Sequence, residues 1–198
     1  ANLVVNLVAA NDTPSLQTPA AITITDTSAT DNFAVVNGNL VAADVDANTT
    51  LTYSIAGVSA VDGIATKVGT YGTLALTTTT GAYTYTPNNA AINALTANNS
   101  ETFTFGVSDG TVTTNANLGV NLVAGNDTPT LQTPAVITIT DTSATDSFTV
   151  INGNLVAADV DANTTLTYSI AGITAVDGIA TRVGTYATLV LMTSTGAY

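Results

Sequence analysis

Asp44, Asp46 and Asn48 stand at alternate positions, and the same triplet returns as Asp159, Asp161 and Asn163. In an extended loop, alternate side chains point the same way, so three oxygen donors converge on one point. Oxygen is what Ca2+ takes, in shells of about six to eight ligands at about 2.3–2.6 Å. The triplet is not an EF-hand, because Thr49 and Ile55 occupy the places where that loop needs Gly and Glu. Asp and Asn are also ordinary turn formers whose side chains bond nearby backbone, so the same spacing reads equally as turn chemistry. Asp62-Gly63 and Asp177-Gly178 read as plain turns, and Ser108-Asp109-Gly110 as a turn able to lend a ligand.

Other chemistries are closed by composition. The chain has no Cys and no His, which excludes disulfides, thiol nucleophiles, thiolate-bound zinc and the commonest general base. Carboxylate pairs could serve glycoside hydrolysis only with an acid held in an apolar cleft, and no acidic residue sits in an apolar run, so no catalytic residue is assigned. Lys67 among Asn residues suggests an isopeptide crosslink, but Arg182 fills the equivalent position and cannot react that way. Fourteen acidic residues against two basic ones leave a net charge of −12. That charge argues against nucleic acid and anionic membrane surfaces as partners and in favour of cations. No apolar run is long enough to insert in a membrane.

The elements that must position these residues are strands. Ile22 and Ile24 alternate with Thr23 and Thr25; Leu51, Tyr53 and Ile55 with Thr52 and Ser54; Phe103, Phe105 and Val107 with Thr102, Thr104 and Gly106. Period-two alternation with β-branched Thr on the wet face predicts half-buried strands. Further strands are expected over 33–41, 71–77, 82–86 and 112–123, with a hairpin turn over 77–81 and Tyr83 and Tyr85 filling a core face. Only 88–99 has helical spacing, enough for one short turn.

A second periodicity governs the whole chain. Residues 1–83 reappear as 116–198 with 69 of 83 positions identical, a period of 115. A unit of that length can bury its own core. About seven strands per unit, punctuated by regular turn signals, predict tandem immunoglobulin-like β-sandwich domains, an all-β class. Asn11-Asp12-Thr13-Pro14 and Asn126-Asp127-Thr128-Pro129 mark short, stiff linkers, which should set successive domains end to end. The expected division is 1–11 as the last strand of a preceding repeat, 12–126 as a complete repeat and 127–198 as a truncated second one. The chain then reads as a window onto a longer array, or as units whose missing strands neighbouring copies supply.

In such a sandwich the linker, the loop after the second strand and the loop between the last two strands share one end. That brings Asp12, Asp44, Asp46 and Asp109 together. The far end of the first strand should present Asp26 and Asp31 to the next linker, beside Asn126, Asp127, Asp159 and Asp161. Calcium held there would fix the angle between domains.

The stretches Asn39–Asp46, Leu51–Ile55, Tyr71–Leu76, Gly81–Asn88, Thr102–Gly110 and the closing Asn126-Asp127 together resemble the VCBS repeat, which belongs with the cadherin-like domains of giant bacterial surface adhesins. The resemblance covers the whole 115-residue unit. It implies a cadherin-like sandwich in a bacterial, type I-secreted protein at the cell surface, with calcium stiffening an extender region that holds a distal binding region away from the cell. A self-associating subunit of an extracellular filament or biofilm matrix, completed by strand exchange between copies, is the second reading; a glycan- or protein-binding adhesin module is the third. Partners are then neighbouring copies of the same repeat.

Overall fold

The computed structural model describes residues 2–198, and Ala1 lies outside them. The chain divides into two compact units, Ala1–Asn126 and Asp127–Tyr198. The first contains β1 (Ser15–Leu16), β2 (Ile22–Thr25), β3 (Val36–Asn39), β4 (Ala42–Ala43), β5 (Thr52–Ile55), β6 (Ile64–Val68), β7 (Gly72–Thr77), β8 (Ala82–Pro87), helix α1 (Asn89–Asn93), β9 (Asn99–Ser108) and β10 (Thr113–Val123). Two four-stranded sheets result, ordered β2-β10-β9-β5 and β3-β8-β7-β6, beside the short pair β1-β4. Most neighbours are antiparallel, but β2 runs parallel to β10, with Ile22 opposite Val120 and Ile24 opposite Leu122. This is the expected sandwich.

One core joins the sheets. Ile22, Ile24, Ile55, Phe103, Phe105, Leu118, Val120 and Leu122 from the first sheet are buried with Leu74, Leu76, Tyr83 and Tyr85 from the second. The aromatic rings interlock across the gap. Tyr83 meets Phe105 at 5.3 Å between centroids, and Tyr85 meets Phe103 edge-on at 6.0 Å, the tilted geometry that ring quadrupoles favour. Each Tyr needs space behind it. A Cβ on Gly38 would stand 2.2 Å from the Tyr83 ring and one on Gly72 2.3 Å from the Tyr85 ring, so only glycine fits.

The hairpin at 77–81 forms as expected, with Gly81 at φ +74° and its N–H donating to the Thr77 carbonyl at 2.9 Å. Helix α1 is the short turn that Asn88 caps by accepting from Ala91 N–H at 3.4 Å. The strand expected over 33–41 is shorter, Val36–Asn39, with Leu40 buried in the core just after it. Strand β6 carries no clean alternation and was not expected from sequence. Residues 2–11 form no strand.

The second unit is sparser: β11 (Thr130–Leu131), β12 (Ala157–Ala158), β13 (Ile179–Val183) and β14 (Thr188–Met192), with β11 paired to β12 and β13 to β14. Residues 137–140 repeat the Ile-Thr-Ile-Thr of β2 and form no strand. Ile22 and Ile24 are 7% exposed, whereas Ile137 and Ile139 are 48% and 52% exposed. In the first unit β2 is held by β10, and within the 198 residues the second unit has no counterpart of β9 or β10. Without a ladder partner, extended backbone offers unpaired N–H and C=O groups and no strand forms. No described helix is long and apolar enough to cross a membrane.

The sequence assigned no role to Glu101, yet this carboxylate ties the first core to a loop. Its Oε1 accepts from the Tyr85 hydroxyl at 2.7 Å, and its Oε2 accepts from Thr70 N–H at 3.0 Å and Tyr71 N–H at 3.2 Å. Burial, then the hydrogen bond and charge of Glu101, push the Tyr85 phenol far above its usual 10.0. A raised phenol pKa contributes stability that is present in full below the unfolded value and is lost as pH rises past it. Stability measured by denaturant titration should therefore fall above about pH 10, and Tyr85→Phe should fall less steeply there than the parent. Equal slopes would mean that Tyr85 carries no such linkage.

Candidate metal centre

The loop after β4 is built by its own carboxylates. Asp44 Oδ1 accepts from Asp46 N–H at 2.8 Å, which turns the chain, and Asn48 completes the bend in the left-handed region at φ +63°. Asn tolerates that region better than most residues. The consequence corrects the extended-loop expectation: Asn48 is exposed at a turn, out of line with Asp44 and Asp46. Asn163 repeats this at φ +60°. Asp62 and Asp177 also have positive φ, 50° and 48°, as the first residues of their Asp-Gly turns.

Asp12 does join this loop, its N–H donating to Asp46 Oδ2 at 2.7 Å. Asp109 is linked to the same linker, because Asn11 Nδ2 donates to Asp109 Oδ2 at 2.9 Å and to the Asp12 carbonyl at 2.8 Å. Four expected residues, Asp12, Asp44, Asp46 and Asp109, thus occupy one end of the first unit. Asp109 shapes the β9–β10 turn, Oδ1 accepting from Thr111 N–H at 2.6 Å and Val112 N–H at 2.7 Å. The Val112 amide, then the Asn11 side chain and the Thr111 amide, hold its carboxyl below the usual carboxylate value.

Asp26 and Asp31 sit elsewhere in the first unit. Asp26 is buried, and its Oδ2 accepts from Gly125 N–H at 3.4 Å. Asp31 Oδ2 accepts from Thr27 N–H at 2.6 Å, while Asn93 on α1 receives Asp31 N–H at 2.5 Å and donates to the Asp31 carbonyl at 3.0 Å. Asn93, buried at the helix end, carried no sequence signal. Asn126 closes the first unit.

The second unit repeats the loop in a more buried form. Asp161 N–H donates to Asp159 Oδ1 at 2.9 Å, and Asp127 N–H donates to Asp161 Oδ2 at 2.8 Å. Asp127 and Asp161 are 1% and 7% exposed. Asp146, the counterpart of Asp31, was missed although the 115-residue period points to it. Thr142 donates to it through N–H at 2.6 Å and hydroxyl at 3.0 Å, and these bonds lower its pKa.

Whether an ion fits turns on the oxygens left over. Asp161 Oδ1 and Asp44 Oδ2 are buried and accept no hydrogen bond, a costly state for a carboxylate oxygen. These hard donors, with no thiolate or imidazole in the chain, suit Ca2+ and not a softer metal. Among the described residues, however, no three acidic side chains gather closely enough to hold an ion. The donor chemistry and the orphaned oxygens fit calcium; the acidic side chains as placed do not fill its shell.

Residues 6–121 match the family model described as Bacterial Ig domain, and the chain belongs to that family. Among solved structures, human protocadherin-24 EC1-2 is similar at 19% identity and a TM-score of 0.39, over 94% of this chain and 80% of that one. The comparison with curated proteins finds no match.

Because its folded pKa lies below the unfolded 3.8, Asp109 contributes stability that is present above that value and lost as pH falls through it. Between about pH 5 and 3, Asp109→Asn should lose less stability than the parent. Parallel losses in the two proteins would remove Asp109 from the linkage.

Proposed function

We propose that this bacterial Ig domain chain is a load-bearing spacer of an extracellular surface protein, holding a binding region away from the cell. The observation that carries the reading is the parallel pairing of β2 with β10, the strands near the two ends of the first unit. Tension drawing the ends apart slides parallel neighbours lengthwise, so every hydrogen bond from Ile22 to Thr25 is loaded at once. Bonds loaded together resist far better than bonds opened singly. The repetition of 69 of 83 positions supports the same reading, since each further copy adds length to a spacer.

Stretching the full chain from its ends should show the first unit yielding in one cooperative event. Attaching the handle at Gly63 instead of the amino-terminal end changes the loading direction and should lower the force markedly. A force independent of the attachment point would refute the spacer reading.

Calcium belongs to this proposal as a stiffener outside the cell. Asp161 in the second unit and Asp44 in the first, each with a buried oxygen that accepts no hydrogen bond, would be its anchoring ligands, with water and backbone carbonyls making up the rest of the shell. An ion bound only to the folded state stabilises by about 2.7 kcal/mol at a hundredfold excess over its Kd, and extracellular sites fill at about 10⁻⁴–10⁻³ M. Calcium at 10 times that range should raise the melting temperature of the full chain, and Asp159→Asn with Asp161→Asn should abolish the second unit's share. If a chelator leaves the parent's melting unchanged, the carboxylates act only as turn formers.

A further inference from the structure

The only two basic residues of the chain, Lys67 and Arg182, stand at the same position of the repeat, on β6 and on β13. Strand β6 ends the second sheet, with β7 on one side and no strand on the other. Gly63 C=O accepts Thr78 N–H at 2.9 Å, and Gly69 N–H donates to Gly72 C=O at 2.7 Å. In this antiparallel ladder the odd-numbered residues therefore turn their backbone groups to β7, and the even-numbered ones turn theirs to the open side. Ile64 exchanges both of its bonds with Val61 at 2.9 Å. The N–H and C=O of Thr66 and Val68 are left pointing outward, and among the described residues no backbone group meets them there. Strand β13 repeats the arrangement through Gly178 with Thr193, Gly184 with Ala187 and Ile179 with Val176, which leaves Thr181 and Val183 outward. Both edges are apolar too: Val61, Ile64 and Val68 are exposed, as are Val176, Ile179 and Val183, with Val68 and Val183 each 77% exposed. The open side belongs to the repeat itself, since the ten-stranded first unit and the sparser second one present it alike.

An open edge is a template for pairing with another strand, a second copy of the same chain included. The antiparallel register that satisfies all four outward groups sets Thr66 opposite Val68 of the second copy, and hence Lys67 opposite Lys67. Side chains stand closest in such a non-hydrogen-bonded pair, and like charges directly opposite are destabilising. Pairing β6 with β13, or β13 with β13, meets cation with cation again. The neighbouring registers, Thr66 opposite Thr66 or Val68 opposite Val68, make only two of the four bonds. We infer that this edge, on β6 and β13 alike, docks an extended segment of a partner protein that carries a carboxylate opposite Lys67 or Arg182, and that the same cation turns away other copies of this chain. Strand addition supplies main-chain bonds for affinity and side-chain contacts for choice of partner. An ammonium has three donors; Lys67 gives one to the Ala56 carbonyl at 3.2 Å and has two for the carboxylate. The residues flanking that carboxylate fall on the face of Ile64, Thr66 and Val68, where apolar side chains cover the exposed valine. The net charge of −12 does not forbid an acidic partner, because repulsion beyond about 8 Å is screened at physiological salt, whereas cross-strand neighbours stand about 4.5–5.5 Å apart. The inference goes beyond the spacer proposal and uses none of its observations.

The probe is a capped peptide, Thr-Val-Glu-Val-Thr, titrated into the full chain while backbone amide signals are followed by NMR, beside the same peptide with Lys in place of Glu. Signals of Thr66, Val68, Thr181 and Val183 should move with the Glu peptide, which should bind at least about fivefold more tightly than the Lys peptide. Raising the salt to about 1 M should narrow that gap. Lys67→Met with Arg182→Met keeps the apolar stems and removes the charge; this variant should bind the two peptides alike, and in sedimentation it should self-associate at concentrations where the parent is monomeric. Lys67→Arg, which places in the first unit the residue that the second already has, should behave as the parent and separates loss of charge from loss of folding. Equal affinity of the parent for the two peptides, shifts confined to residues outside β6 and β13, or a neutral variant that associates no more than the parent would each overturn the inference.

Discussion

The hairpin of β9 and β10 is the member on which the first unit depends. The two strands are laddered from Thr113 opposite Ser108 to Leu122 opposite Asn99, and each also holds one edge of the sheet, β10 pairing with β2 and β9 with β5. They further supply Phe103, Phe105, Leu118, Val120 and Leu122 to the core. Burying side chains of this size is worth about 1.5–3 kcal/mol each, so the hairpin contributes backbone partners and apolar area at once. Tyr83 and Tyr85 on the opposite sheet are set by the same strands, since their rings rest on Phe105 and Phe103. The second unit, lacking this pair within the 198 residues, is laddered only by the short pair β11-β12, the hairpin of β13 and β14 and isolated bridges such as Asn154 with Ala197.

The acidic surface is organised by a different constraint. With two basic side chains for fourteen acidic ones, few carboxylates can find an ion partner, and the backbone serves instead. Asp31, Asp44, Asp46, Asp109, Asp146, Asp159 and Asp161 each accept a backbone N–H. Bonds from amides to a charged oxygen are stronger than neutral ones and fix the loops in place. The turn reading and the calcium reading of these residues are therefore compatible. A carboxylate has two oxygens; Asp44 commits Oδ1 to the turn and Asp161 commits Oδ2 to the Asp127 amide, and in each case the other oxygen is buried without a hydrogen bond.

Much of the first unit was legible because its strands alternate cleanly. Ile22 and Ile24, Phe103, Phe105 and Val107, and Leu118, Val120 and Leu122 are all inward by period two. Strand β6 escaped because Ala65 is its only buried residue, so there was no apolar repeat to read. Glu101 escaped because its partners, Thr70, Tyr71 and Tyr85, lie 16 to 31 residues away, and sequence spacing carries no record of such contacts. At the acidic pole, Asp12, Asp44, Asp46 and Asp109 followed from loop order alone. The departure of Asn48 did not, because an extended and a turned loop can share one sequence.

Residues 22–25 and 137–140 draw the line most sharply, since both read Ile-Thr-Ile-Thr. Alternation by itself determined that one face is apolar and the other wet, that the backbone favours extension, and that the chain is an all-β repeat with acidic turns. Tertiary structure alone decided that the first copy is a buried strand and the second is not. The reason is physical: a helix satisfies its backbone from its own residues, whereas a strand borrows its hydrogen bonds and half of its burial from a neighbour distant in sequence. Ile22 has Val120 beside it; Ile137 has the same chemistry and no such neighbour within its own unit.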